Sequence, residues 1–441
     1  MSDPDWKGLF AAHLARAVSA TQAALAACEL PGVVVHAGRE LHYHADDQEV
    51  PFHTVPHFAR FAPIPGPEHL LLVPRVGAPR LLRVVARDFW VEPPASPPAW
   101  VTDALPTEEV SSAHQARQVC GQRPGWAYLG NDPAAAVALG AVVEPPALVQ
   151  RLDWERAYKS DYEVACLREA ACLAAIGHTV VREGAARGAT EHELHLAYLE
   201  ATGLLGRSTP YENIVAWDRH AAVLHYPHKR REPPRPGRTF LIDAGATCHG
   251  YASDITRTWL LEGSHPVFRA LFEGMVRLQD ELVEAVAPGL EYVALHQRAF
   301  RGVTELLCAQ GLLRVSADEA YDRRLAFPFF PHGLGHHLGI QVHDVGGKLR
   351  GPVGDPVPPP EDFPWLRTTR ALEVGHVVTI EPGLYFIPLL LDGYRKGADV
   401  AAFDWGTIDG LLDSGGIRIE DDVLVTASGR ENLSRPYLPV C

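Results

Sequence analysis

The sequence predicts an α+β protein of two domains, and three observations carry that prediction. Apolar helices and strands alternate up to about Leu152, a charged helical stretch follows with no flexible linker, and the later strands carry acidic side chains where apolar ones belong. In chain order, the apolar spacing predicts a helix over Trp6–Cys28, strands at "GVVVHAG", "HLLLVP", "PRLLRVVA" and "WAYLG", and a helix at "DPAAAVALGAVV". The Pro-rich "VEPPASPPAWV" reads as a surface loop. No Gly-rich cradle follows any strand, which argues against a dinucleotide site in this part. The stretch "ERAYKSDYEVACLREAACLAAIGHTVVREGA" reads as one long charged helix and puts the domain boundary near Asp153, giving domains 1–152 and 153–441. Long helices are then expected over Glu191–Gly203, Pro266–Val286 and Glu291–Gln310.

Composition narrows the function classes. With 47% hydrophobic residues and a mean hydropathy of −0.06, the 441-residue chain reads as an ordinary globular protein with a large core. Forty Lys and Arg against fifty-four Asp and Glu leave a formal charge of −14, which repels nucleic acid and anionic membrane. Small molecules or protein are the expected partners. The seven cysteines are odd in number and scattered, and form no C-x-x-C pair, so neither a disulfide framework nor a cysteine-zinc site is indicated. The acidic N-terminus and the lack of a run near 18 apolar residues lead us to expect an unprocessed cytoplasmic protein.

Acids on strands are the first chemical signal. In "RTFLIDAGATCHGYASDITRTW" a strand pattern runs on both sides of a turn centred near Cys248–His249. A two-residue turn there would set Asp243 directly opposite Asp254. Opposed like charges destabilise a hairpin, so a positive group is expected between them. Glu381 ends the apolar strand of "HVVTIEPGLYF", and alternation in "GGIRIEDDVLV" puts Arg418 and Glu420 on one face, where an ion pair is expected. The second signal is "PHGLGHHLGIQVHDVGG", four histidines on a glycine-rich backbone. It suits metal ligation or proton transfer, with a histidine-rich surface loop as the competing reading. Asp243, Asp254, Glu381, Glu420 and one of these histidines make a hard donor set with a single imidazole. Such a set suits paired divalent cations, whose +4 would cancel the carboxylates' −4.

These segments also carry a family resemblance. With "DDQEVPFHTVPHF", "PYENIVAWDRHAAVLHY" and "LRTTR" they follow the order found in pita-bread metallopeptidases, and among these the chain resembles the bacterial Xaa-Pro dipeptidases, or prolidases. The resemblance implies an N-terminal domain like ribonuclease H, a C-terminal pita-bread catalytic domain, a homodimer, and two divalent ions, manganese first, with cobalt or zinc possible. It implies hydrolysis of dipeptides with C-terminal proline. Asp254 and Glu420 would be shared by both ions, with Asp243 on one, and His336 and Glu381 on the other. Glu381 would double as general base and proton donor. By resemblance His225, His332 and His343 meet the substrate, Arg367 clamps its free carboxylate, and Tyr211 is a further contact. His337 is expected to pack or face solvent.

Departures and rivals remain. Glu212 stands where close relatives are expected to have glycine, leaving the shape around Tyr211 open. The Pro-rich 348–366 segment reads either as a stiff loop at the pocket mouth or as an inert insertion. Asp46 and Asp47 read as solvated loop acids or as reaching a partner subunit's site. An aminopeptidase acting on longer peptides, an organophosphate triester side activity, and an inactive peptide-binding module are the competing functions.

Overall fold

A computed structural model describes residues 4–87, 89–90, 92–234 and 237–440. They form two compact units, 1–165 with 351–355, and 166–350 with 356–441.

The first unit runs α1 (Trp6–Ala27), β1 (Gly32–His36), α2 (Pro56–Phe61), β2 (Leu70–Pro74), β3 (Arg80–Val84), α3 (Ala99–Ala104), β4 (Thr107–Val110), α4 (Ala113–Cys120), β5 (Ala127–Leu129), α5 (Pro133–Leu139), β6 (Val142–Val143) and α6 (Pro146–Arg156). One six-stranded sheet has the order β4-β3-β2-β1-β5-β6. The β1–β2 and β2–β3 pairs are antiparallel, whereas β5 and β6 extend the sheet in parallel. Val34, Leu70, Leu72 and Leu82 pack there against α4 and α5. The helix expected through Val143 stops early because Gly140 takes a left-handed conformation, and Val142 and Val143 then join the sheet edge.

The long helix expected from Glu155 is two helices, α6 and α7 (Asp161–Ala186). Ser160 breaks it: its backbone N donates to Glu163 Oε2 at 2.8 Å and the Glu163 N donates back to Ser160 Oγ, a reciprocal cap that starts a new helix. Among the described residues, α7 is the one helix whose length and mean hydropathy match those of a membrane span. By length and composition it could cross a bilayer, but most of its apolar window is buried within the protein.

The second unit continues with α8 (Glu191–Thr202), β7 (Ile214–Trp217), β8 (Thr239–Asp243), β9 (Thr247–Cys248), β10 (Tyr251–Ala252), β11 (Thr256–Leu260), α9 (Pro266–Ala285), α10 (Tyr292–Ala309), α11 (Ala317–Asp322), β12 (Val377–Ile380), β13 (Gly383–Tyr385), α12 (Pro388–Arg395), α13 (Trp405–Leu411), β14 (Gly416–Arg418), β15 (Asp421–Thr426) and β16 (Gly429–Asn432). Antiparallel sheets β11-β8-β7 and β12-β15-β16 are accompanied by two two-stranded antiparallel pairs, β13-β14 and the β9-β10 hairpin that connects β8 to β11. The main core packs α9 and α10 on the inner faces of β12 to β15, through Phe268, Leu271, Phe300, Val378, Ile380 and Val423. A second core sets α7 and α8 against β7, β8 and β11.

The hairpin turn falls at His249–Gly250, one residue later than expected, with Cys248 opposite Tyr251. His249 and Gly250 both take positive φ, as a tight two-residue turn requires. Asp243 therefore faces Thr256, and Asp254 lies two residues along the partner strand, diagonal to Asp243 and not opposite it.

Candidate metal centre

The centre sits where strand ends meet. Asp243 closes β8 and Asp254 precedes β11. Glu381 follows β12, and Glu420 lies between β14 and β15. Glu420 N donates to Thr256 O at 3.1 Å, tying the two hairpins together. His336 arrives on the glycine-rich loop, whose Thr379 N–H···O=C His336 bond of 2.9 Å fixes it beside β12. A Cβ on Gly335 would run into the Thr379 carbonyl, so only glycine allows this approach.

Eleven of the residues singled out from the sequence line one cavity of about 1000 Å³: Tyr211, His225, Asp243, Asp254, His332, His336, His343, Arg367, Glu381, Arg418 and Glu420. Asp254, His336 and Glu420 are buried at its floor, and His225, His343 and Arg367 stand exposed at its rim. One ligand-capable atom from each of Asp254, His336 and Glu420 lies within 4.8 Å of the others. His336 Nε2 is 3.4 Å from Asp254 and 3.5 Å from Glu381, and its Nδ1 is 3.0 Å from the His337 carbonyl. That carbonyl accepts only from a protonated Nδ1, which turns Nε2 toward the acids as the nitrogen that would ligate a metal once its proton is displaced.

The charges do not balance without a cation. Four carboxylates face Arg418, which donates to Asp243 at 2.6 Å, and His336. Arg418 thus pairs with Asp243 and not, as strand alternation suggested, with Glu420, whose Oε2 accepts from Thr256 Oγ1 at 2.6 Å. Burial, then repulsion from Asp254, drives Glu420 well above the ordinary carboxylate range. Burial pushes Glu381 up to about 7, and burial also raises Asp243 against the pull of Arg418. Burial alone would lower His336, yet Asp254 and Glu381 beside it hold it above its ordinary value. Hard oxygen donors, one oriented imidazole and surplus negative charge fit divalent metal.

The whole-chain comparisons agree with that chemistry. The profile of metallopeptidase family M24 matches residues 165–427, and that of the Xaa-Pro dipeptidase N-terminal domain matches residues 8–154. The chain belongs to family M24. An Aeromonas hydrophila protein named Xaa-Pro dipeptidase is 40% identical over 97% of this M24 chain and 98% of its own, and a Stenotrophomonas maltophilia protein of the same name is 37% identical over 99% and 98%. Among solved structures, E. coli aminopeptidase P with the inhibitor Pro-Leu superposes with a TM-score of 0.75 at 23% identity over 97% of this chain and 95% of its own. Proline aminopeptidase P II from Yersinia pestis gives 0.72 at 24%, covering 96% of each chain. The fold is thus the pita-bread fold behind a separate N-terminal domain, and the M24 chain is a metal-dependent peptidase.

The second ring of contacts was not read from the sequence. Tyr385 OH lies 2.9 Å from His332 Nε2 and accepts from Arg418 at 3.0 Å. Thr379 Oγ1 accepts from His336 N at 3.0 Å and donates to Glu381 at 3.3 Å. Alternation from Glu381 through Gly383 puts Tyr385 on the same side, so strand period alone could have found it. Thr379 had no such signal, because its partner comes from a distant loop. Burial holds His332 down to about 3 and His343 to about 4, with Arg418 and His336 respectively adding to the effect, so both are neutral near pH 7. His337 is buried, its ring 4.8 Å from that of His376. Glu212 accepts an ion pair from Lys229 at 2.6 Å on the cavity wall, and Lys348, Pro364, Trp365 and Leu366 bring both ends of the Pro-rich segment to it. Asp362, in the same Pro-rich segment, is engaged by Arg324. Asp46 and Asp47 are exposed in the first unit.

Proposed function

We propose that this M24 chain is an Xaa-Pro dipeptidase, cleaving dipeptides that end in proline. The observation that carries the reading is the buried, undercompensated carboxylate set, in a chain 36–40% identical along most of its length to proteins named Xaa-Pro dipeptidase. Asp254 and Glu420 would be shared by two divalent cations, with Asp243 on one and His336 and Glu381 on the other. Manganese is the first choice, and cobalt or zinc could substitute. When bound, the cations supply Lewis-acid polarisation and cancel the acids' repulsion.

The chain's own groups do the rest. Glu381 takes a proton from the attacking water and returns it to the prolyl nitrogen as the bond breaks. That nitrogen is tertiary and ring-bound, which explains a dedicated enzyme. His343 and His332, both neutral near pH 7, and His225 beside them offer hydrogen bonds to the substrate carbonyl and its developing charge, with Tyr385 and Arg418 steadying His332 from behind. Arg367 at the rim meets the substrate's free carboxylate with a two-pronged fork and so limits length to a dipeptide, and Tyr211 lines the cavity wall beside the acids.

The reading includes a cytoplasmic homodimer, with residues 1–152 as the domain that pairs copies and 153–441 as the catalytic domain. Free cysteines suit a reducing compartment. The exposed neighbours Phe89 and Trp90, their rings 4.6 Å apart and tilted at 37°, are apolar surface of the kind an interface covers. The reading extends to triester hydrolysis as a side activity of the same water-activating site, and an aminopeptidase is the nearest rival. Metal-stripped protein reloaded with Mn, Co or Zn should cleave Ala-Pro and Leu-Pro and spare a Pro-containing tripeptide and a Pro-free dipeptide. Equal rates on all four would remove the assignment.

A further inference from the structure

Two thiols outside the cavity meet beside the hairpin that joins two of its acids. Ala246 packs among Ala171, Ala174 and Ala175 of α7, and Ser253 Oγ, opposite it, donates to Ala170 O at 3.2 Å. Cys248 leaves β9 on the same face as Ala246, two residues and about 6.6 Å further along. Cys166 lies one turn of α7 before Ala170, about 6 Å along its axis. The two offsets match, and the Cys166 thiol hydrogen-bonds to that of Cys248. This bond holds the Cys248 thiol below its ordinary value against burial. Cys248 is partly accessible, and Cys166 is buried behind it. An accessible, acidified thiol backed by a second thiol is the arrangement of a peroxide-responsive pair.

We propose that Cys248 and Cys166 form a redox pair, closed to a disulfide by hydrogen peroxide, that reversibly switches the site off. The Cys248 thiolate attacks the peroxide. An S–O bond forms, the O–O bond breaks, and hydroxide leaves to become water. The Cys166 sulfur then attacks the sulfenic acid: the S–S bond forms, the S–O bond breaks, and the hydroxyl departs as water with the Cys166 proton. The two sulfurs lose two electrons and the peroxide gains them. A disulfide holds its sulfurs at about 2 Å, so closure draws the hairpin toward α7. The hairpin runs from Asp243 to Asp254, and Ala252 N donates to Gly339 O at 2.9 Å, three residues beyond His336. Ligand positions tolerate only about 0.2 Å, so the cations should bind more weakly after closure.

The test treats the full-length, metal-loaded protein with hydrogen peroxide and maps peptides without reduction. The expected result is a cross-linked peptide joining Cys166 to Cys248, a smaller rise in melting temperature on adding manganese, and a loss of at least about tenfold in Ala-Pro hydrolysis. A dithiol should reverse all three, and Cys166→Ser and Cys248→Ser should retain activity under the same treatment. Absence of the cross-link, a closed disulfide with undiminished turnover, or a Cys248→Ser protein as sensitive as the parent would each overturn the proposal. If the untreated, reduced protein cleaves no Xaa-Pro dipeptide, the function assignment fails instead, and the cross-link and manganese shift still decide this question.

Discussion

Glu420 and Asp421 are consecutive in sequence, both buried, and belong to opposite electrostatic worlds. Asp421 accepts from Arg257 at 2.7 Å, Arg435 at 2.7 Å, Gln279 at 3.0 Å and Asn432 at 2.9 Å. Burial would raise its pKa, but Arg257 and then Arg435 outweigh burial and hold it at about 2. Glu420, on the other side of the chain, has one hydroxyl donor and three carboxylates for company, and is driven far upward. One residue is a completed structural ion pair. The other is half of a site that only added positive charge completes. The difference separates scaffold from machinery without reference to any relative.

Removing charge should therefore have crossed effects at these neighbours. Glu420→Gln is expected to lower Xaa-Pro hydrolysis by several orders of magnitude, while leaving the metal-free protein as stable as before or more so and abolishing its manganese-induced rise in melting temperature. Equal activity with and without this carboxylate would break the comparison. Asp421→Ala strands two guanidinium groups and should cost about 3–5 kcal/mol in urea unfolding. A stability loss below that of an exposed pair would show that the Arg257 cluster carries no structural load.

The histidines sharpen the same division. His336→Ala should lose metal along with activity, whereas His343→Ala and His225→Ala should keep metal and lose about 10²–10³ in kcat, which metal analysis alongside kinetics reads directly. Arg367→Ala should cost about 10²-fold in kcat/KM for Xaa-Pro with the melting temperature unchanged. A proportionate loss of stability would move Arg367 from substrate contact to loop support.

The smallest effects are set by pH. Asp421, lowered from 3.8 to about 2, binds protons more readily unfolded than folded. Its contribution, about 2 kcal/mol, is complete above pH 3.8 and lost as pH falls toward 2. His178, buried with Nε2 2.9 Å from Ala244 O, is depressed by burial from 6.5 to about 3, so the unfolded chain takes up its proton first. Stability should therefore begin to fall as pH drops below 6.5, and urea titrations at pH 7, 5 and 3.5 would detect it. A flat profile between 7 and 5 would mean that His178 is not held neutral.

Much of this was legible in the chain itself. The helix starts at Trp6, Glu191 and Pro266 followed from apolar spacing, and the start expected at Glu291 fell one residue before the observed Tyr292, because helix periodicity is a local property. The acids stood out because a carboxylate on an apolar strand is costly wherever the strand goes. Local pattern could not reveal which partner each acid takes. Arg418 chose Asp243 over its strand-mate Glu420, Thr256 took Glu420, and the hairpin turn slid by one residue to put Asp243 and Asp254 on a diagonal. The sequence alone determined that oxygen donors and an imidazole would need a cation. Only the tertiary structure decided their pairing, because side chains distant along the chain compete for the same charges, and burial multiplies the free-energy difference between a matched partner and a missing one.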